Sequence, residues 1–99
     1  MERDTYITPV IFRKFKDGDI IAIFPEQTGT NDLWTCGSYQ HIGQHGSADR
    51  GLINETLPAQ PNEYKDLSIE LDNIGYNLKV YKRWQHKFDI ERERELKRL

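Results

Sequence analysis

The sequence predicts a small α+β protein in which one amphipathic helix packs on an antiparallel sheet, with the element order ββ(β)αβ. Three observations predict this class. Strand-forming residues flank an Asp-Gly turn near the start, apolar residues then recur at helical spacing from Asn62, and residues 76–84 return to alternation. The 99 residues match the length of one domain. We predict that this domain spans residues 1–84 and that residues 85–99 form a charged tail, helical or disordered.

The first two strands form a predicted hairpin. The segment YITPVIFRKF is rich in β-branched and aromatic residues, and IIAIF at 20–24 is a continuous apolar run that indicates a central strand. Between them, Asp17-Gly18 is a strong signal for a hairpin turn. We therefore predict that residues 9–16 pair with residues 19–25.

A third strand is predicted over residues 34–42, WTCGSYQHI, although its alternation is loose. Gly37 either weakens this strand or indicates a bulge in it. Residues 43–61 contain three glycines and two prolines, a composition typical of a loop.

A helix is predicted to begin near Asn62. Pro61 suits its first position and Gly75 its C-terminal stop. The predicted buried stripe consists of Tyr64, Leu67, Ser68, Leu71 and Ile74. The alternating segment YNLKVYKRW follows as a last strand. The C-terminal KFDIERERELKRL has few apolar residues, so we expect a frayed or partner-dependent helix there.

Charge is unevenly distributed along the chain. Residues 79–99 carry eight Lys/Arg and four Asp/Glu, a net +4, whereas residues 1–78 carry six and twelve, a net −6. An acidic body disfavours a wholly basic nucleic-acid-binding face. The basic end is instead expected to contact an anionic partner or the acidic body of a second copy, which allows self-association through residues 79–99.

No feature of the sequence predicts contact with a membrane. The start, Met1-Glu2-Arg3-Asp4, is charged and no apolar signal-peptide segment follows it. The longest apolar run, IIAIF, is too short to cross a bilayer. A single cysteine cannot form an internal disulfide, so a reducing, cytoplasmic location is expected.

Reactive side chains concentrate in the segment CGSYQHIGQHGSADR, residues 36–50. Its glycines allow close backbone approach, and its amides and rings offer donors, acceptors and flat surfaces. We predict a non-catalytic binding loop for an unknown protein or small-molecule ligand, without a cofactor. The candidate recognition residues are Trp34, Tyr39, Gln40, His41, Gln44 and His45.

The same segment allows a second hypothesis, a metal-binding or hydrolytic enzyme. Cys36, His41, His45 and Asp49 are all possible zinc ligands, and a cysteine beside a histidine can act as a nucleophile. The sequence lacks the paired cysteines typical of structural zinc sites, and Gly43 disfavours a helix that would align the two histidines. Neither a metal nor a catalytic residue is therefore predicted, and Cys36 is interpreted as a buried apolar side chain.

A third hypothesis is binding of single-stranded nucleic acid. The runs RKFK (13–16) and KVYKRW (79–84) interleave basic and aromatic residues, which is typical of surfaces that follow a phosphate backbone and stack bases. Trp34 and Trp84 are either packing residues or stacking platforms. Because ordinary surface strands produce the same interleaving and the body is acidic, nucleic acid is possible but not favoured.

Three segments together resemble a family of small uncharacterised bacterial proteins found in prophages and mobile elements. They are TPVIFRKFKDGDIIAIFPE, CGSYQHIGQHGSAD and EYKDLSIELDNIGYNLKV, and the resemblance covers residues 8–80. It implies an accessory role in a phage or mobile element. No activity is assigned to that family, so the resemblance implies no functional residue, and the C-terminal tail lies outside it.

Overall fold

The computed structural model describes residues 7–30, 34–40, 44–49 and 51–97, and the predicted α+β class is confirmed in them. None of the helices in these segments is long and apolar enough to cross a membrane. The elements in chain order are β1 (Ile7–Lys14), β2 (Ile20–Thr28), β3 (Thr35–Gln40), β4 (Gln44–Asp49), α1 (Leu52–Glu55), β5 (Leu57–Pro58), α2 (Pro61–Ile74), β6 (Asn77–Val80) and α3 (His86–Lys97).

Five of the strands form an antiparallel sheet in the order β4-β3-β2-β1-β5. The last strand, β6, differs from the prediction because it pairs with β1 in parallel. A parallel pairing needs a long crossover, which α2 and the preceding segments provide. Both β5 and β6 lie along the outer edge of β1: β6 pairs with Ile7–Val10 and β5 with Arg13 and Lys14. The edge therefore opens between them, at Ile11 and Phe12.

The predicted first hairpin is confirmed. β1 and β2 pair in a register that aligns Ile11 with Ile23 and Phe12 with Ala22. Gly18 takes a φ of 96°, which only glycine adopts easily, and its N–H donates to the Phe15 carbonyl at 2.9 Å. Local turn chemistry therefore fixes the hairpin register.

Helices cover both faces of the sheet, where the sequence predicted one helix. Ala22 and Phe24 lie on the face that packs against α2, and Ile21 and Ile23 lie on the face that packs against Phe88 of α3. A central strand buried on both faces loses the usual alternation of apolar and polar residues. This explains the uninterrupted IIAIF run.

Helix α2 is confirmed with its predicted ends. It begins at Pro61 and ends at Ile74, and Gly75 follows with a φ of 122°. Gln60 and Glu63 form a capping box in which the Gln60 N–H donates to the Glu63 carboxylate at 2.9 Å. Of the predicted stripe, Leu67 and Leu71 are fully buried, whereas Ile74 remains 44% exposed.

The predicted loop 43–61 is wrong over most of its length, because it contains β4, α1 and β5. Strand β4 pairs with β3 along its whole length, from Gln40 with Gln44 to Thr35 with Asp49. It buries only Ala48, so its residues lack the apolar alternation that marks a strand in sequence. Backbone hydrogen bonds to β3, rather than side-chain burial, define this strand.

The C-terminal segment is helical, which is one of the two alternatives that the sequence predicted. Residues His86–Lys97 form α3, which docks on the sheet through fully buried Phe88 and Arg92. The Arg92 guanidinium donates to the Pro25 carbonyl of β2 at 2.8 Å and to the Asp89 carboxylate at 2.8 Å. Phe88 and Arg92 are the two fully buried residues that the structure describes in this helix. The sequence predicts a frayed helix because the segment has few apolar residues, whereas the structure buries an arginine, a residue type that usually lies at the surface.

Replacing Arg92 with alanine tests this docking. The change removes a charged donor from the Pro25 carbonyl and leaves that buried acceptor without its partner. We expect Arg92→Ala to lower the free energy of unfolding by about 2–4 kcal/mol, measured by urea denaturation.

Arg94 provides a matched control on the same helix. It is 64% exposed and pairs with Glu91 at 2.8 Å, so Arg94→Ala should cost less than about 0.5 kcal/mol. Equal, small losses for both variants would show that α3 does not dock on the sheet.

Candidate functional site

The residues predicted to form the recognition loop lie on the β3–β4 hairpin, but they do not form one exposed site. Tyr39 is 1% exposed and its hydroxyl donates to the Glu70 carboxylate. Its cross-strand neighbour His45 is exposed, and the two rings meet edge-on at 4.6 Å. His45 Nε2 lies 3.1 Å from the Tyr76 hydroxyl. Tyr39 therefore supports a packed polar cluster rather than offering its ring to a ligand.

The other predicted residues lie elsewhere on the hairpin. Gln40 and Gln44 are paired across the two strands, on the opposite face of the sheet from Tyr39 and His45. Trp34 is 68% exposed and lies at the other end of β3. His41 lies outside the described residues. The hairpin thus brings together Tyr39 with His45 and Gln40 with Gln44, but leaves Trp34 apart from both pairs.

The residues of the alternative hypothesis, a metal or hydrolytic site, do not converge where they are described. Cys36 is fully buried on the α3 face, as the sequence predicted for an apolar side chain, and its thiol donates to the Ala48 carbonyl at 3.7 Å. His45 and Asp49 lie on the other face, about 13 Å apart along β4 at the usual strand rise. In segments 7–30, 34–40, 44–49 and 51–97, no three His, Cys, Asp or Glu side chains are placed to hold one metal ion.

A different site opens at the outer edge of β1, between β5 and β6. We call it the edge groove; its volume is about 670 Å³. Its walls come from β1, the segment before α2, the start of α2 and the β6–α3 connection. Its aromatic and basic lining residues are Phe12, Tyr64, Tyr81 and Trp84 together with Arg13, Lys82 and Arg83.

Two of the aromatic walls are fixed by packing against neighbouring rings. Phe12 and Tyr64 stack at 4.3 Å with nearly parallel planes, which joins the start of α2 to β1. The Tyr81 N–H donates to the Val10 carbonyl at 2.8 Å, and its ring meets Phe88 edge-on at 5.0 Å. These walls are preformed, so a ligand need not order them.

Trp84 is held by helix α3. Its indole N–H lies 3.2 Å from each carboxylate oxygen of Asp89, and the Arg92 guanidinium lies 4.9 Å from the ring centroid. The same arginine binds the Pro25 carbonyl of β2. The position of this groove wall therefore depends on the docking of α3.

The three cations of the groove have different roles. Arg13 is 8% exposed, and its guanidinium donates to the Thr56 hydroxyl at 2.9 Å and the Ile53 carbonyl at 2.7 Å. Burial lowers the pKa of Arg13 below its usual value, although an arginine remains charged at neutral pH. Arg13 thus secures the α1–β5 segment to β1. Lys82 and Arg83, which are exposed, supply the cations that a ligand can reach.

Two further lysines surround Tyr81. The ammonium group of Lys87 donates to the Tyr81 hydroxyl at 3.0 Å and lies 4.8 Å from the ring centroid, and that of Lys79 lies 5.3 Å from the centroid. The Lys87 hydrogen bond is the main cause that lowers the pKa of Tyr81 below its ordinary value. Residues 79–88 carry four Lys/Arg and no Asp/Glu, so this side of the groove is positively charged.

A second, smaller groove adjoins the first. We call it the tryptophan groove; its volume is about 430 Å³. Trp34 and Trp84 line it together with Ile53, Asn54, Gly51 and Asp49. The Asp49 carboxylate accepts a hydrogen bond from the Gly51 N–H at 2.7 Å, which links the end of β4 to the residue before α1.

The sequence pattern indicated some of the residues that line the edge groove. The KVYKRW run showed interleaved basic and aromatic residues, and both Tyr81 and Trp84 belong to it. Phe12 and Tyr64 could not be added from the sequence, because they reach the groove only through the pairing of β1 with β5 and β6 and the packing of α2.

No protein-family model, curated protein or solved structure matches this chain. The resemblance to mobile-element proteins therefore stays a prediction.

The environment of Tyr81 can be tested by titration. In Lys87→Met the hydrogen bond and the nearby charge are lost, so the pKa of Tyr81 should rise toward its ordinary value. Ring resonances of labelled tyrosine, followed by NMR as the pH rises, measure this pKa. Lys82→Met removes the same charge without that hydrogen bond and should change the Tyr81 pKa less. Equal shifts in the two variants would contradict the contact.

Proposed function

We propose that the protein is a non-catalytic binding module, and that the edge groove binds an anionic ligand that carries a planar ring. One observation carries the proposal: the exposed cations Lys82 and Arg83 lie in the same groove as the rings of Tyr81 and Trp84. Planar rings stack on aromatic side chains, and lysine and arginine bind phosphate or carboxylate. The groove offers both interactions to one ligand.

The composition of the groove favours binding over catalysis. Of the described residues that line it, none is Ser, Cys, His, Asp or Glu. These types supply most nucleophiles and general bases in enzymes. Its volume of about 670 Å³ and its preformed aromatic walls are typical of small-molecule and cofactor sites.

The β3–β4 hairpin remains a second candidate site. The observation in its favour is that Gln44 and His45 are exposed on β4, the last strand in the order of the sheet. A ligand there would contact polar side chains and the backbone of an edge strand, and would need no charge of its own. The two candidates therefore differ in the ligand chemistry that they require.

Thymidine monophosphate is a suitable probe because it joins one ring to one phosphate. We expect it to shift the backbone amide signals of residues 59–64, apart from Pro61, and of residues 80–84 in NMR spectra. Thymidine and inorganic phosphate each lack half of the required chemistry and should bind more weakly. Signals that move only in residues 44–49 would transfer the site to the hairpin.

Removing the two exposed cations tests their role. In the Lys82→Ser/Arg83→Ser variant, loss of two charged contacts should weaken nucleotide binding by about tenfold or more. The control Lys16→Ser/Lys65→Ser removes two exposed positive charges outside the edge groove and should bind normally. If both variants lose affinity equally, net charge rather than the groove determines binding.

A further inference from the structure

We propose that the ligand is a single strand of nucleic acid that passes from the edge groove over Trp84 into the tryptophan groove. This inference rests on the proposed function and extends it, because it assigns both the ligand class and a second contact region. In this arrangement Trp84 and Trp34 are stacking residues, and Lys82 and Arg83 contact the phosphate backbone in the edge groove.

The two grooves adjoin each other. Ile53 and Trp84 line both of them, so these two side chains form a shared wall that a bound strand would cross. We call the two grooves together the trough; its lining includes Tyr64 on α2 in the first groove and Trp34 before β3 in the second. A single nucleotide occupies one part of such a trough, whereas a short strand contacts its whole length.

Positive charge is concentrated on the side of the edge groove where the phosphate backbone of a bound strand would lie. Residues 79–88 carry four Lys/Arg without an acidic residue, within a chain whose net charge is −2. Three carboxylates of this region are engaged by the protein itself: Asp89 binds Arg92 and the Trp84 indole, Glu63 binds Lys14 at 2.5 Å, and Asp49 accepts a hydrogen bond from the Gly51 N–H. The positive segment is therefore local, and the acidic remainder disfavours binding outside the trough.

The far end of the trough suits a base better than a phosphate. Trp34 is 68% exposed. Among the large apolar residues that the structure describes, it has the highest exposed fraction. An exposed indole offers a flat surface on which any base can stack. Asn54 and the carboxylate of Asp49 lie in the same groove and can bind the polar edge of that base.

The trough combines aromatic rings with cations, and this combination favours one class of anionic partner over the others. An acidic peptide would bind the cations, but its carboxylate side chains have no ring that could stack on Trp34. A nucleic acid duplex already stacks its bases internally and cannot place them on a side chain without unpairing. A single strand uses both the rings and the cations, as is typical of sequence-tolerant single-strand binding.

The test compares ligands of increasing length by quenching of tryptophan fluorescence. We expect an oligothymidylate of about eight nucleotides to bind at least about tenfold more tightly than thymidine monophosphate. An oligodeoxyuridylate and an oligouridylate of equal length carry the same bases and differ only in the sugar, so their affinities distinguish DNA from RNA. The affinity should fall as salt rises, because phosphate contacts release counterions.

Trp34→Ala tests the second contact region. This exposed residue can be replaced without opening the core, and we expect the oligonucleotide affinity to fall by about 5–10-fold while binding of thymidine monophosphate is unchanged. The matched control is Ile69→Ala, which removes another exposed apolar side chain, 49% exposed on α2, and should bind normally.

The outcomes separate this inference from the proposed function. Oligonucleotides that bind no more tightly than the monophosphate, or a Trp34→Ala variant that binds them normally, would overturn the extended trough and leave the edge groove as a site for a small anion. An oligoglutamate of equal charge that competes equally would identify an acidic peptide instead. Failure of every nucleotide to bind would overturn both proposals.

Discussion

The buried guanidinium of Arg92 joins the fold to the candidate site. It donates to the Pro25 carbonyl of β2, pairs with Asp89 and lies against the ring of Trp84. Pro25 itself lies next to the register shift between β2 and β3, where the regular ladder is interrupted and its carbonyl is available to a side chain. One residue thus secures α3 to the sheet and fixes a wall that both grooves share. Burying a charged guanidinium is costly, so Arg92 is stable in this position only when its contacts with Pro25 and Asp89 are both present.

The edge groove follows from how the outer edge of β1 is paired. β6 covers the first half of the strand in parallel and β5 covers its end in an antiparallel sense, and each pairing stops short of the other. The Tyr81 and Ala59 N–H groups bind the Val10 and Phe12 carbonyls on either side of the opening. The opening is therefore a stable consequence of the strand pairing, and residues from both sides of the sheet meet there.

Local signals predicted those parts of the fold that depend on local chemistry. Asp17-Gly18 located the hairpin turn, and Pro61 and Gly75 located the ends of α2, because these residues restrict or permit particular backbone angles. β4 was missed because an edge strand that buries one side chain leaves no periodic pattern. The docking of α3 was missed because a buried arginine in sequence looks the same as an exposed one.

The candidate site was only partly predictable, for a related reason. The segment richest in reactive side chains is residues 36–50. Its described parts, 36–40 and 44–49, divide these side chains between two faces of a strand pair and bury Cys36 and Tyr39 on opposite sides. Sequence proximity there does not become spatial proximity. The edge groove shows the reverse: Phe12, Tyr64 and Trp84 are far apart in the chain and converge through tertiary packing. The interleaved basic and aromatic residues of KVYKRW were the one local pattern that indicated this groove.

The most direct test of the account is to locate a bound strand by intermolecular NOEs between thymine methyl protons and the indole protons of the protein. Trp84, as the shared wall, and Trp34, at the end of the trough, should both show contacts to the same oligothymidylate. Contacts confined to His45 and its neighbours on β4, with none to either indole, would contradict the account and assign binding to the hairpin.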